Sequence, residues 1–182
     1  MYAALADPSW ADYHLTTRFV TDGGRTSVSF RVQTLGPSGG WGSFYGVGLQ
    51  TSDWSDGPSW LLQRDDLVGG SLVSRNLAGG TLDASFGFRN GSDNVLDIFA
   101  SGNQFRVLLN GRSLTADPIV DPYPNPHLYG GVSLQSVWEE DTHFDYVTVG
   151  TLPVPEPATS AMLMFGLALV GCGVLRQRSK LR

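Results

Sequence analysis

Cysteine occurs once in this chain of 182 residues, at Cys172, inside an apolar stretch near the C-terminus. No internal disulfide can staple what precedes it, so that part must be held by its own core. Lysine is absent before Lys180. Residues 1–157 carry 17 acidic groups against 8 arginines, a net charge of −9, and four cations beyond residue 175 bring the chain to −5. A domain with that balance lacks the basic patch that phosphate backbones require, which excludes nucleic acid as a partner. Glutamate is confined to Glu139, Glu140 and Glu156. The histidines, His14, His127 and His143, are far apart and show no metal-ligand spacing. Before Ala158 no segment carries a sustained helical pattern.

What is present in its place is alternation. Tyr13, Leu15, Thr17 and Phe19 alternate with His14, Thr16 and Arg18, and Val28, Phe30 and Val32 alternate with Ser27, Ser29 and Arg31. That period of two fits strands with one buried face. Further strands are expected at 44–49, 60–62, 70–73, 84–88, 95–100, 104–109, 131–134 and 144–149. Turn signals separate them: Asp22-Gly23-Gly24, Gly79-Gly80, Asn90-Gly91, Gly102-Asn103 and Asn110-Gly111. Short strands so spaced predict an all-β fold, an antiparallel sandwich or barrel, over about residues 7–150.

The C-terminus is built differently. Pro153-Val154-Pro155-Glu156-Pro157 lies in a Pro-rich linker, residues 151–157, and is followed by eighteen uncharged residues, Ala158 to Leu175. As a helix that span would be roughly 27 Å long, close to the ~30 Å hydrocarbon core of a bilayer. It is read as one C-terminal transmembrane helix, 158–175, with a basic cytoplasmic tail, 176–182. The order of Pro-Glu-Pro, apolar span and Arg cluster resembles the PEP-CTERM sorting signal of Gram-negative bacteria. The resemblance implies recognition and processing by an exosortase in the inner membrane. It also implies export of the bulk of the chain to the cell envelope or extracellular matrix. Pro155, Glu156 and Pro157 are the implied recognition site, with Arg176 and Arg178 as the cytoplasmic anchor. At the other end, Ala4-Leu5-Ala6 before Asp7-Pro8 looks like a small-residue cleavage site, so residues 1–6 are read as the remnant of a signal-peptide cleavage region.

A second resemblance covers most of Trp10 to Val149. The stretch Gly102 to Gly111 is a strand ending in an Asn-Gly hairpin turn, followed by Tyr129 to Leu134 and by Phe144-Asp145-Tyr146-Val147. Together with the opening Trp10-x-Asp12-Tyr13, this succession resembles concanavalin A-like, laminin-G-like jelly rolls. That family includes lectins, carbohydrate-binding modules, glycosidases and adhesion domains, so the fold alone does not settle function.

The candidate chemistry is thin. A retaining glycosidase needs two carboxylates about 5–5.5 Å apart. Glu139 and Glu140 are neighbours that would face opposite sides of a strand, and neither Asp97 nor Asp145 has a partner at the right spacing. Gly36-Pro37-Ser38-Gly39-Gly40 matches Gly-x-Ser-x-Gly, but that motif works only at a strand-to-helix turn, so it is read as a loop. Gly46-Val47-Gly48 lacks the third glycine and the helix of a nucleotide loop. Asp141 to Asp145 is read as a turn entering a strand. No cofactor is expected. Calcium is the ion best matched to the oxygen-rich loops, with Asp53, Asp56, Asp65, Asp66, Asp93, Asn94 and Asp97 as its candidate ligands, although no Asp-x-Asp-x-Asp-Gly loop is present.

The aromatics point further. Trp41, Tyr45, Trp54 and Trp60 fall within twenty residues among Gly, Ser and Asp. Flat rings stack on the C–H faces of sugars, and carboxylates bond sugar hydroxyls. Trp54 with Asp53 and Asp56, Trp41, Tyr45 and Trp138 are the candidate glycan contacts, while Trp41 and Trp60 also fit core or lid positions. The sequence thus favours a non-enzymatic, exported domain that associates with exopolysaccharide or envelope glycan. A protein-binding matrix or adhesion component is the alternative, and a glycoside hydrolase the third reading. If the sorting reading holds, Glu156→Ala leaves the protein in its membrane-anchored precursor form, seen as an unprocessed band in a membrane-fraction immunoblot. Normal processing of that variant would contradict it.

Overall fold

The computed structural model describes the backbone of residues 2–5 and 137 and, with side chains, residues 10–33, 42–51, 57–136 and 142–152. The chain divides into two compact units, Met1–Leu152 and Pro153–Arg182. The apolar span 158–175 lies outside the described residues, and among those described no helix is long and apolar enough to cross a membrane.

The strands in chain order are β1 (Tyr2–Leu5), β2 (Tyr13–Thr21), β3 (Arg25–Val32), β4 (Phe44–Gln50), β5 (Ser59–Val68) and β6 (Ser71–Thr81). There follow β7 (Asn94–Ser101), β8 (Gln104–Leu109), β9 (Arg112–Ser113), β10 (Ile119–Val120), β11 (Gly131–Val137) and β12 (Thr142–Thr151). They form two antiparallel sheets. The first runs β1-β11-β3-β4-β5-β6, and the second runs β10-β8-β7-β2-β12 with β9 on β8. Their inner faces enclose one core, in which Leu15, Phe19, Phe30, Tyr45, Leu62, Leu96, Ile98 and Phe105 are at most 1% exposed. This is the sandwich that the alternation predicts, and β2 alternates buried and half-buried along its whole length.

Two expectations change. Gly79-Gly80 is not a turn but lies within β6, opposite Leu61 and Trp60 of β5. A Cβ there would stand 3.0 Å from the Trp60 carbonyl oxygen at Gly79 and 3.3 Å from the indole nitrogen at Gly80, so these glycines serve close packing. The hairpin turn is Gly69-Gly70, with φ of +58° and +84°, the two positive values that a tight β-hairpin needs. Ala84–Phe86 is a 3-10 turn rather than a strand, started by Asp83, whose carboxylate accepts from the Ser85 N–H. Tyr2–Leu5, within the stretch read as the remnant of a signal-peptide cleavage region, pairs with β11 at the edge of the first sheet.

Two buried guanidinium groups hold the long connection from β10 to β11. Arg31 is fully buried at the end of β3. Its Nε and Nη2 donate to the Ala11 carbonyl at 3.3 and 3.0 Å, Nη1 to the carbonyls of His127, at 3.0 Å, and of Gly102, and Nη2 reaches Asp12 at 3.3 Å. Arg64 on β5 does the same one end along. Its Nε and Nη2 bond Asp66 Oδ1 at 3.1 and 3.0 Å, Nη1 bonds Asp121 Oδ2 at 3.0 Å and the Pro124 carbonyl at 3.2 Å, and Nη2 bonds the Asn125 carbonyl at 2.8 Å. The Tyr45 hydroxyl donates to the same Asp121 oxygen at 2.6 Å and accepts from the His127 N–H at 3.1 Å. Burial and that bond to Asp121 push the Tyr45 phenol far above its usual range. Burial would lower the Arg64 pKa, but its bonds to Asp66 and Asp121 leave it raised.

Asp121 is 1% exposed and serves Arg64, Tyr45 and the Tyr123 N–H together. Asp121→Ala leaves a buried cation and a buried hydroxyl without their acceptor, so it destabilises the domain by about 3–5 kcal/mol, measured by urea unfolding. The His127 imidazole is 6% exposed, with Nε2 3.2 Å from the Asp65 carbonyl and 3.1 Å from Asp66 Oδ1. Desolvation holds its pKa below the usual 6.5, helped by the nearby Arg64 charge and opposed by the Asp65 carbonyl and the carboxylates of Asp66 and Asp121. A histidine whose folded pKa is depressed is neutral in both states above the unfolded value. As pH falls below 6.5 the unfolded chain takes up the proton first, so stability drops. His127→Gln flattens the Tm profile in the window just below pH 6.5, and an unchanged profile would refute this.

Candidate functional site

The outer face of the first sheet is floored by small residues because β3 and β4 put Ser and Gly at alternate positions. Ser29 lies opposite Gly46 of β4 and Ser133 of β11, and Ser27 opposite Gly48 and Gln135. Ser27, Ser29 and Ser133 are 9, 5 and 9% exposed, so this face is covered although its own side chains are short. The cover comes from neighbouring long side chains. Arg25 lies across Gly48, where a Cβ would stand 2.7 Å from its Nε, and the Phe44 ring lies over Gly46 at 3.4 Å.

A polar string crosses four strands on this face, from β3 over β4 to β5 and β6. Arg25 Nη2 donates to Gln63 Oε1 at 3.4 Å, Gln63 Nε2 donates to Asp65 Oδ2 at 2.6 Å, and the Ser74 hydroxyl donates to Asp65 Oδ1. The register sets this line, since Gly46 pairs with Gln63, Phe44 with Asp65, and Asp65 with Ser74. Among the described residues no carboxylate is ion-paired with Arg25, unlike Arg18, Arg31, Arg64 and Arg75. The arrangement offers solvent the half-buried Arg25 and Gln63 and the exposed Ser74, while Asp65 and the Ser and Gly floor are buried. It suits a ligand rich in hydroxyl groups that spans several strands.

The outer face of the second sheet carries a grouping that invites a catalytic reading. His14 Nε2 lies 2.8 Å from Asp97 Oδ1 and 3.1 Å from the Thr16 hydroxyl, which itself donates to Asp97 Oδ1 at 2.7 Å. A histidine that activates a hydroxyl uses one ring nitrogen for the nucleophile and the other for the carboxylate. Here both partners meet the same nitrogen, and the hydroxyl proton is already given to Asp97. The imidazole is stacked on Phe99 with centroids 4.0 Å apart. The grouping is a cross-strand surface network.

The residues marked out by sequence fare unevenly. Tyr45, read as a glycan contact, is fully buried between Phe30 and Phe105, with ring centroids 5.4 and 4.6 Å away. It faces the core because it alternates with Gly46, so it cannot stack on a sugar. Trp60 is a core residue at 6% exposure. Trp41, Asp53, Trp54, Asp56, Trp138, Pro155, Glu156, Pro157, Arg176 and Arg178 lie outside the described residues, as does Gly36 to Gly40. Residues 34–41 join β3 to β4, and residues 52–56 join β4 to β5.

The acidic calcium candidates within the described set do not converge. Asp65 and Asp66 belong to the first sheet and are bonded to Gln63, Ser74, Arg64 and Arg75. Asp93 pairs with Arg18 and Asp97 with His14, both on the second sheet. The Asn94 amide is spent on the carbonyls of Arg89 and Ser92, at 3.1 and 2.9 Å. No group of three metal-binding side chains occurs among the described residues. Sequence reasoning missed Arg25, Gln63 and Ser74 as a set. The available signal was Gly46-Val47-Gly48, a strand with one bare face.

Comparison with known proteins bears on the C-terminal motif and on the fold. Residues 153–179 match the PEP-CTERM protein-sorting motif. No curated protein sequence matches the chain. Among solved structures, a carbohydrate-binding module of type CBM66 from Bacillus subtilis is similar over 81% of this chain and 78% of its own, with TM-score 0.54 and 13% identity. Sheep galectin-11, solved in complex with glycerol, is similar over 82% of this chain and 96% of its own, with TM-score 0.54 and 12% identity. The Caenorhabditis elegans galectin LEC-6 follows over 82% and 89%, with TM-score 0.52 and 10% identity. The chain therefore carries a PEP-CTERM sorting motif behind a β-sandwich of the jelly-roll fold found in galectins and carbohydrate-binding modules.

Proposed function

We propose that this chain is a non-enzymatic, exported glycan-associating protein of a Gram-negative cell envelope or extracellular matrix. In this reading the sorting motif delivers a membrane-anchored precursor to an exosortase. The outer face of the first sheet then lies against exopolysaccharide or an envelope glycan. The observation that carries the reading is the polar string Arg25–Gln63–Asp65–Ser74 over the Ser27, Ser29, Gly46 and Gly48 floor. The likeness to a carbohydrate-binding module and to galectins supports the fold. Trp41 and Trp54, in the segments that join β4 to its two neighbours, remain the proposed stacking rings, with Asp53 and Asp56 beside Trp54 and Trp138 as a further candidate.

A second reading, adhesion to a protein, draws on the free edge of the same sheet. β6 is an edge strand of eleven residues, and Val68, Leu72 and Val73 near its hairpin are 59, 38 and 37% exposed. Such an edge is a template for pairing with another chain.

Binding of the full protein to the producing organism's own exopolysaccharide, with calcium and with chelator, separates the two. Arg25→Ala and Trp54→Ala each weaken that binding by about tenfold, roughly 1.4 kcal/mol, with an unchanged Tm. Absence of binding in both conditions would favour the protein-contacting reading.

A further inference from the structure

A cleft of about 360 Å³ opens at the end of the second sheet, where the segment entering β2 passes the last residues of β12. It is lined by Trp10, Asp12, Tyr13, Gly150 and Thr151 among others. Its size is near the lower end of the range for small-molecule sites. Trp10 is half-buried and meets the Tyr13 ring edge-on, with centroids 6.4 Å apart, and its carbonyl accepts from the Gly130 N–H at 2.9 Å. The Trp10 backbone is thus tied to Gly130, and its ring meets Tyr13 where the residue lines the cleft.

Asp12 is held as firmly. Its Oδ1 accepts from the Gly102 N–H at 2.8 Å and from Arg31 Nη2 at 3.3 Å, yet its side chain is 53% exposed. Among the described residues its other oxygen, Oδ2, takes only a long 3.4 Å bond from Ser101. The fully buried guanidinium behind it offsets the carboxylate charge, so the rim favours neutral hydroxyl donors over a cation. At Gly150, a Cβ would meet nothing within 4 Å, which leaves bare backbone facing open space.

We propose that this cleft binds a single neutral sugar ring, stacked on Trp10 and hydrogen-bonded to Asp12 Oδ2, as a site separate from the outer face of the first sheet. A flat ring beside a pre-oriented carboxylate whose second oxygen takes a single long bond is what the C–H face and hydroxyls of a sugar require. The proposal does not depend on the first sheet's role, because the two sites share no residue.

The test uses the full chain labelled with fluorotryptophan in a zwitterionic detergent. Fluorine NMR then resolves the five tryptophans, and the Trp10 signal is assigned by its loss in Trp10→Phe. Cellobiose, maltose, lactose and sucrose are titrated in turn to millimolar concentrations. The expected result is a saturable shift of the Trp10 signal with at least one of them, lost in Gly150→Leu, which adds a side chain at the cleft lining and leaves Tm unchanged. A Trp10 signal unmoved by all four overturns the proposal. A shift that survives Gly150→Leu overturns it as well. Movement of the Trp41 or Trp54 signals alone would uphold glycan binding by the first sheet and reject the cleft.

Discussion

The ion pair between Arg64 and Asp121 joins the two halves of the sandwich without any covalent link. Arg64 comes from the middle of β5 in the first sheet, and Asp121 follows β10 at the edge of the second. All five guanidinium N–H groups of Arg64 have acceptors, drawn from Asp66, Asp121, Pro124 and Asn125. A buried charge costs several kcal/mol to desolvate, and only such full satisfaction repays that cost. Tyr45 adds its hydroxyl to the same carboxylate, and its ring continues into Phe30 and Phe105. The apolar core and the polar closure are thus one contiguous structure. In a chain whose sole cysteine is Cys172, this closure does the work that a disulfide performs in many exported domains.

The same constraint shapes the outer face of the first sheet. Because Tyr45, Val47 and Leu49 point into the core, the residues between them, Gly46 and Gly48, point outward. Their missing side chains let Arg25 and Phe44 lie flat over the sheet. A larger residue at Gly48 would push Arg25 away and break its contact with Gln63. The candidate binding face is therefore a consequence of core packing one residue away on the same strand.

Much of the fold was legible because alternation is a local property. Tyr13 to Phe19 and Val95 to Ala100 alternate in sequence and in burial alike. What failed was the placing of the turn at Gly79-Gly80 and of Gly70 in a strand. Gly69-Gly70 turns and Gly79-Gly80 does not, and the difference is the Trp60 indole, which needs bare backbone opposite it. Ala84 to Phe88 has strand composition, but Asp83 caps a 3-10 turn there. Less of the candidate site was legible. Tyr45 sits among glycines and serines like a binding aromatic, and only its register against β5 and its distant partner Asp121 reveal it as core. Trp10 and Asp12 were legible as the opening of a strand, while the cleft they share with Gly150 depends on β12, which pairs with β2 across most of the chain.

The absence of lysine from the domain now has a structural reading. A lysine offers three donors from one point, whereas an arginine holds a planar fork that can engage several acceptors in fixed directions. Arg31 and Arg64 use that fork to gather backbone carbonyls from separate loops, a task a lysine cannot perform from the same position. Arg18 bridges Asp93 and Asp145, and Arg75 meets Asp66 while its guanidinium lies over the Tyr123 ring. These cations are committed to building the domain rather than to attracting an anion. The outward charge of the domain stays acidic, so long-range attraction to an anionic polymer is weak or repulsive. Contacts with a polysaccharide would then rest on short-range stacking and hydroxyl hydrogen bonds. Arg25 joins such a surface as a fixed donor within a polar string rather than as part of a basic field.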